Sequence, residues 1–113
     1  MEITRSERGG IVILELQGRL DTTSSSPLEK VLLDLAQEKG HRILIDFSLL
    51  DFISSSGLRV LLATGKASRT AGGQLVLCGL KKHVKGVFDV AGFTMLFRIF
   101  PSRESAAEGL TSS

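Results

Sequence analysis

Three consecutive hydroxyls, Ser54, Ser55 and Ser56, are the side chains of this sequence best placed to carry chemistry. They follow a β-type run, Arg42–Phe47, and a short polar-apolar bend. They open a segment in which Leu58, Leu61, Leu62 and Gly65 share one face at helical spacing, while Arg59, Lys66 and Arg69 lie elsewhere. The serines therefore stand at a helix start, where backbone N–H groups lack intrahelical partners. A hydroxyl there can cap the helix, and serine is among the best residues for that task. It can also accept a phosphate, because the helix dipole and the free N–H groups favour negative charge. On spacing alone the cap is the better reading.

Other chemistries lack their parts. A nucleophilic serine on a strand-to-helix elbow needs G-x-S-x-G, and Ile53 stands where the first glycine belongs if Ser55 is the nucleophile. His41 and His83 are the only histidines available as bases, and neither has a triad-like setting. One cysteine and two scattered histidines do not make a metal site. The phosphate-cradling pattern G-x-x-x-x-G-K-[ST] is absent. The expectation is a protein that is not an enzyme and that uses no metal or other cofactor.

The elements around the serines follow in order. Residues 2–7 read as a strand, Glu7-Arg8-Gly9-Gly10 as a turn and Ile11–Leu16 as a second strand, giving a hairpin whose second member lies inside a sheet. Gly18-Arg19-Leu20-Asp21 ends that strand, and Asp21 can cap the segment that follows. Ser26, Pro27 and Glu29 predict the start of a first helix, with Leu28, Val31, Leu32, Leu35 and Ala36 on one face and Gly40 as its stop. Gly72-Gly73 breaks the serine-led helix, and Gln74–Cys78 is a buried strand that takes the lone Cys78 inside. Val84, Val87, Phe88 and Ala91 place a third helix against the sheet, stopped at Gly92. Met95–Phe100 is a last strand, and Ser102 caps a terminal helix to about Leu110, ahead of a frayed tail at Thr111–Ser113. Strand and helix alternate after the hairpin. The fold class is α/β, a mixed, mostly parallel sheet of four to five strands with helices mainly on one face.

At 113 residues the chain is expected to be a single domain spanning 1–113. Its 42% hydrophobic and 23% charged residues are ordinary for a soluble protein. No apolar run approaches the roughly 18 residues that cross a bilayer, and Met1 leads directly into the charged Glu2–Arg8 segment, so no membrane partner and a cytoplasmic location are expected. Net charge is +2. The one basic cluster, Lys81, Lys82, His83 and Lys85, reads as a solvated helix start. It has no interleaved aromatic residues, and the chain has neither Trp nor Tyr, so nucleic acid is not an expected partner.

The stretch around the serines is similar to the signature of the STAS domain, the fold of bacterial anti-sigma factor antagonists. That signature is a D-x-S triplet followed shortly by D-S-S/T-G-L. Asp46, Ser48, Ser55, Ser56, Gly57 and Leu58 match it, and Ser54 replaces its second aspartate. The tetrapeptide Gly18–Asp21 resembles the family's G-x-L-D motif, and Val84–Phe93 resembles its V-x-x-x-F-x-x-x-G-[LF] block, so the resemblance covers nearly the whole chain. It implies phosphorylation at Ser55, with Ser54 and Ser56 as alternatives. It implies a partner-binding role for Asp21, Asp46 and Ser48, and for Ser54, Ser56, Gly57, Leu58 and Arg59 around the serine. The implied partners are an anti-sigma factor that is also a serine kinase, and a phosphatase that removes the phosphate. Two other readings stay open: a STAS scaffold or transporter-accessory domain that is never phosphorylated and, more distantly, a hydrolase-like enzyme.

Overall fold

The computed structural model describes residues 1–37 and 41–111. Strand β1 (Glu2–Arg8) turns at Gly9-Gly10 into β2 (Ile11–Leu20), forming the expected antiparallel hairpin. Both glycines have positive φ, +58° and +80°, the left-handed backbone that a two-residue hairpin turn demands. Helix α1 (Thr22–Ala36), strand β3 (Arg42–Ile53), helix α2 (Ser55–Thr70), strand β4 (Gln74–Cys78) and helix α3 (Lys82–Val90) follow. A short 3₁₀ turn at Phe93–Met95 leads to strand β5 (Arg98–Phe100) and helix α4 (Arg103–Thr111). The sheet order is β1-β2-β3-β4-β5, with β1 antiparallel to β2 and the remaining neighbours parallel.

Alternation along the central strands divides the interior in two. Val12, Leu14 and Leu16 of β2, with Ile43, Ile45 and Phe47 of β3, face α1, α2 and α3. They meet Leu28, Leu32 and Leu35 of α1, Leu58 and Leu61 of α2, and Val84 and Phe88 of α3. Ile11, Ile13, Leu44, Val76 and Cys78 face the other way and are covered by Ala106 and Leu110 of α4. Three helices thus lie on one face and one on the other. Burial on both faces explains why the strands read as unbroken apolar runs. Each buried Leu, Ile or Phe side chain contributes roughly 1.5–3 kcal/mol of transfer free energy.

Several local expectations are corrected. Helix α1 begins at Thr22, not at Ser26–Pro27, because Asp21 makes the stronger cap. Its carboxylate accepts the Thr23 and Ser24 N–H groups at 3.0 and 3.3 Å, and Ser24 Oγ accepts the Asp21 N–H at 3.0 Å. Pro27 then falls inside the helix, with only the bond to the Thr23 carbonyl forgone. Strand β3 does not stop at Phe47 but runs on to Ile53. It carries two bulges opposite β2, where Glu15 and Gln17 pair with Asp46 and Leu49, and Gly18 and Arg19 with Leu50 and Phe52. The extra residues break the period-2 pattern, so the sequence reads as a bend. Strand β5 is shorter than the expected 95–100, since Phe93–Met95 coils into the 3₁₀ turn. Gly40, expected to stop the first helix, and Ser112–Ser113 of the tail lie outside the described residues.

The bulged part of β3 also outruns its other neighbour. The β3–β4 ladder ends at Asp46↔Cys78, while β2 and β3 continue together as a two-stranded ribbon. That ribbon carries the chain beyond the main sheet and delivers both α1 and α2 from neighbouring strand ends.

Candidate functional site

The ends of β2 and β3 are tied by a backbone hydrogen bond from Ser54 N–H to the Leu20 carbonyl, 2.9 Å. Asp21 and Ser54, the next residues along each path, are the N-caps of α1 and α2. Two helix starts are therefore held side by side, with their free N–H groups at one end of the sheet.

The three serines have different jobs. Ser54 is the cap: its hydroxyl accepts the Gly57 N–H at 3.2 Å and its carbonyl the Leu58 N–H at 3.0 Å. Aspartate caps as well as serine does, so the departure from the D-S-S/T-G-L pattern at Ser54 preserves the local physics. Ser55, the first helical residue, is exposed, and its hydroxyl takes no hydrogen bond among the described residues. Ser56 is half-buried and turns into a cleft between α1 and α2 of about 210 Å³, shared with Thr22, Ser26, Glu29 and Arg59.

Gly57 shows why this start needs a residue without a side chain. A Cβ there would lie 2.7 and 2.9 Å from Leu20 Cγ and Cδ2, and 3.0 Å from Ile53 Cγ1. Leu20 and Ile53 are buried and cannot swing aside. Gly57→Ala should destabilise the fold by about 1–3 kcal/mol through overpacking. Gly86→Ala in α3, where a Cβ meets nothing within 4 Å, should be neutral or stabilising by up to about 1 kcal/mol. Urea unfolding of the two variants against wild type measures the contrast, and equal midpoints would remove the steric account of Gly57.

Ser55 stands at the lip of an open apolar groove of about 570 Å³ between the start of α2 and helix α3. Leu58, Val87, Val90 and Ala91 supply its walls, and His83 lies at one end. Val90 is 92% exposed, a strong anomaly for a valine on a packed helix. Here another expectation is corrected. Val87 and Ala91 were expected against the sheet, but the short α3 buries only the stripe of Val84 and Phe88, and leaves Val87 and Ala91 exposed. The sequence carried a signal for this groove, since Val84, Val87, Phe88, Val90 and Ala91 are more apolar residues than one sheet-facing stripe of a nine-residue helix can hide.

Asp21 is partly exposed. Its carboxyl is held below the usual carboxylate range, chiefly by the Thr23 hydroxyl at 2.7 Å and also by the Ser24 and Thr23 N–H groups. Asp46 is not beside the serines. It is 5% exposed and points to the α4 face, where Arg103 binds it; Arg103 also binds Glu15. Burial alone would raise the Asp46 acid, but the bond from Arg103 and the Ser48 N–H at 2.9 Å outweigh it and bring the pKa below normal. Ser48 is exposed and packs against Gly79, whose missing Cβ would sit 3.2 Å from Ser48 Cβ. Leu58 is buried on the inner face of α2, and Arg59 is exposed beside the α1–α2 cleft.

The ribbon is fastened to α3 by groups whose pairing is silent in the sequence. Lys81 binds the Asp51 carboxylate, and the His83 ring contacts the Asp51 carbonyl. Lys85 sits 3.8 Å from Asp89. Two of the four basic residues, Lys81 and Lys85, are thus paired with local acids. Cys78 is buried, and burial pushes its thiol up to about 12, so it carries no thiolate near neutral pH. Among the described residues, no three His, Cys, Asp or Glu side chains gather as a metal site, and no helix is long and apolar enough to cross a membrane.

The model of the family described as STAS domain matches residues 2–106. The chain is 40% identical over 107 residues to BtrV of Bordetella bronchiseptica, a provisionally assigned anti-sigma factor antagonist, covering 95% of this chain and 92% of that one. It is 28% identical over 112 residues to the anti-sigma F factor antagonist of Paenibacillus polymyxa, covering 98% and 93%. Among solved structures, the phosphorylated form of the Bacillus cell fate determinant SpoIIAA superposes with a TM-score of 0.70 at 18% identity, covering 95% of this chain and 97% of that one.

Proposed function

This chain belongs to the STAS domain family, and we propose that within it the protein acts as an anti-sigma factor antagonist whose binding is switched by a phosphate on Ser55. Its curated relatives bear the names of antagonists, regulatory proteins rather than enzymes. Unphosphorylated, the protein binds its cognate anti-sigma factor in the cytoplasm through the start of α2 and the groove beside it. The anti-sigma factor, acting as a serine kinase with its own ATP, transfers the γ-phosphoryl group to Ser55 Oγ. The complex then breaks, and a serine phosphatase hydrolyses the phosphate to restore the hydroxyl.

One observation carries this reading: of the three hydroxyls, Ser55 alone is both unbonded and exposed, and it borders the apolar groove. Ser54 is committed to its cap, and Ser56 faces the polar cleft. A phosphate on Ser55 meets the free N–H groups of the helix start, so the fold tolerates it. Its roughly −1.5 to −2 charges lie against a surface that a partner must desolvate in order to dock. Asp21, across the Leu20–Ser54 bond, stays ionised and adds to the negative field that a phosphorylated complex would have to bury.

The test is capture of the bound kinase from extract, followed by phosphopeptide mapping after incubation with ATP. Phosphate is expected on Ser55 in the wild type, and Ser55→Ala should lose nearly all of it. Phosphate found chiefly on Ser54 or Ser56 in the wild type sinks the assignment.

A further inference from the structure

At the far end of α2, about 20 Å from Ser55 along the axis, one hydroxyl has no partner among the described residues. Ser68 is 1% exposed, and its Oγ makes no hydrogen bond. Its neighbours in the helix behave otherwise: Thr64 Oγ1 donates to the Val60 carbonyl at 2.8 Å, and Thr70 Oγ1 to the Lys66 carbonyl at 3.0 Å. A buried hydroxyl left unpaired is unfavourable, and such groups are rare in folded proteins. Ser68 lines a cavity of about 240 Å³ between the end of α2 and the edge strand β5, together with Gly65, Arg69, Leu75 and Phe97. Gly73 keeps that end open. A Cβ there would come within 3.1 Å of Ser68 Oγ and 2.5 Å of the His41 carbonyl.

The rest of the lining defines a ligand. Leu75 and Phe97 give an apolar floor. Arg69 is exposed at the rim, and its guanidinium takes no ion pair or hydrogen bond among the described residues. A smaller cleft of about 90 Å³ shares Gly65, Arg69 and Phe97 and extends the floor to Leu62. Arg98 also borders the cavity; its guanidinium donates to the Gly109 carbonyl at 3.2 Å, which engages one of its donors and leaves its charge at the rim. The partial negative charge of the helix end opposes an anion here. That effect is blunted, because the carbonyls of Ala67, Ser68 and Arg69 already accept the N–H groups of Ala71, Gly73 and Gly72.

We infer that this cavity binds a small carboxylic acid with an apolar body. Its carboxylate takes a hydrogen bond from the Ser68 hydroxyl and pairs with Arg69, and its body lies on Leu75 and Phe97. A donor hydroxyl and a rim cation set beside an apolar floor suit an acid with an apolar body better than inorganic phosphate, which has nothing to lay on Leu75 and Phe97. The cavity is smaller than the roughly 300–1,000 Å³ of drug-sized sites, which limits the ligand to a short chain or a single ring.

The experiment titrates the ¹⁵N-labelled protein with sodium hexanoate, and in parallel with hexan-1-ol, acetate and inorganic phosphate. Hexanoate should give saturable amide shifts at Gly65, Ser68, Gly73 and Phe97, and each comparator should bind roughly tenfold more weakly or worse. Arg69→Gln should reduce hexanoate affinity to the level of hexan-1-ol. Ser68→Ala should weaken hexanoate while leaving the melting temperature unchanged or higher, since it removes an unsatisfied group. Absence of saturable shifts, phosphate binding as tightly as hexanoate, or a lower melting temperature in Ser68→Ala each overturns the inference. None of these outcomes bears on Ser55, so the two proposals fail independently.

Discussion

Ser55→Asp is expected to lose about a thousandfold in affinity for the cognate anti-sigma factor while melting within a few degrees of wild type, and Ser55→Ala should change neither. The fold is indifferent to both substitutions for reasons visible at the helix start. The Ser55 hydroxyl takes no hydrogen bond among the described residues, and the cap is supplied by Ser54, so alanine removes nothing that holds α2. An exposed substitution of this kind stays within about 0.5 kcal/mol. Aspartate gains from the helix dipole by about 0.3–1 kcal/mol.

Binding separates the two. A partner that fills the groove of Leu58, Val87 and Val90 must cover Ser55 as well, because that serine lies on its lip. A hydroxyl can donate to the partner surface as it is covered, whereas a carboxylate brings an uncompensated charge into the contact. A thousandfold loss corresponds to about 4 kcal/mol, and burying one unpaired charge lies in the range of about 3–5 kcal/mol. Calorimetric titration of the two variants decides the matter. If Ser55→Asp binds as tightly as Ser55→Ala, and the enzymatically phosphorylated protein does too, charge at this serine is not the switch.

The parts of this architecture that could be read from sequence are those in which local physics has one solution. Gly9-Gly10 between two apolar runs allows little but a hairpin, and the strand–helix alternation after it sets the parallel order. The α1 start could not be read as easily, because Asp21 and Ser26 are both good caps and only tertiary contacts choose between them. Asp21 wins because Leu20 ends β2 beside Ile53, with the Ser54 N–H bonded to its carbonyl, so the chain must turn there. The continuation of β3 past Phe47 was hidden by its two bulges, each of which reverses the inside–outside pattern. At the site, the serine triplet was visible as a triplet, but its division of labour was not. Which hydroxyl caps depends on where the helix begins, to the residue. Asp46 was legible as part of a signature and not as the buried anchor of Arg103, since a partner 57 positions away leaves no trace in spacing. The surplus apolar residues of α3 signal one wall of the groove, but its second wall, at the start of α2, is set only when the two helices are assembled.

Phe88→Ala should produce the largest loss of stability among single core substitutions near the site, about 3–5 kcal/mol. Phe88 is fully buried, and its ring meets three others edge-on: Phe47 at 6.0 Å, Phe93 at 6.4 Å and Phe97 at 6.2 Å between centroids. Truncation removes the buried ring, opens a cavity that three rigid neighbours fill poorly, and forfeits edge contacts worth about 0.5–1.5 kcal/mol per pair. Against a total stability of about 5–15 kcal/mol for a domain of this kind, the remainder is small. Phe88→Leu keeps most of the volume and should lose less, under about 1.5 kcal/mol. The effect should also be local before it is global. Helix α3 is held to the sheet by only two buried side chains, Val84 and Phe88, with the Lys81–Asp51 pair at its start. Loosening it moves Val87 and Val90, and with them one wall of the groove. Amide hydrogen exchange in Phe88→Leu should therefore quicken first in α3 and the following 3₁₀ turn, with β2 and β3 still protected. Uniform acceleration across the sheet, or a Phe88→Ala stability within about 1 kcal/mol of wild type, would show that the aromatic cluster does not anchor this helix.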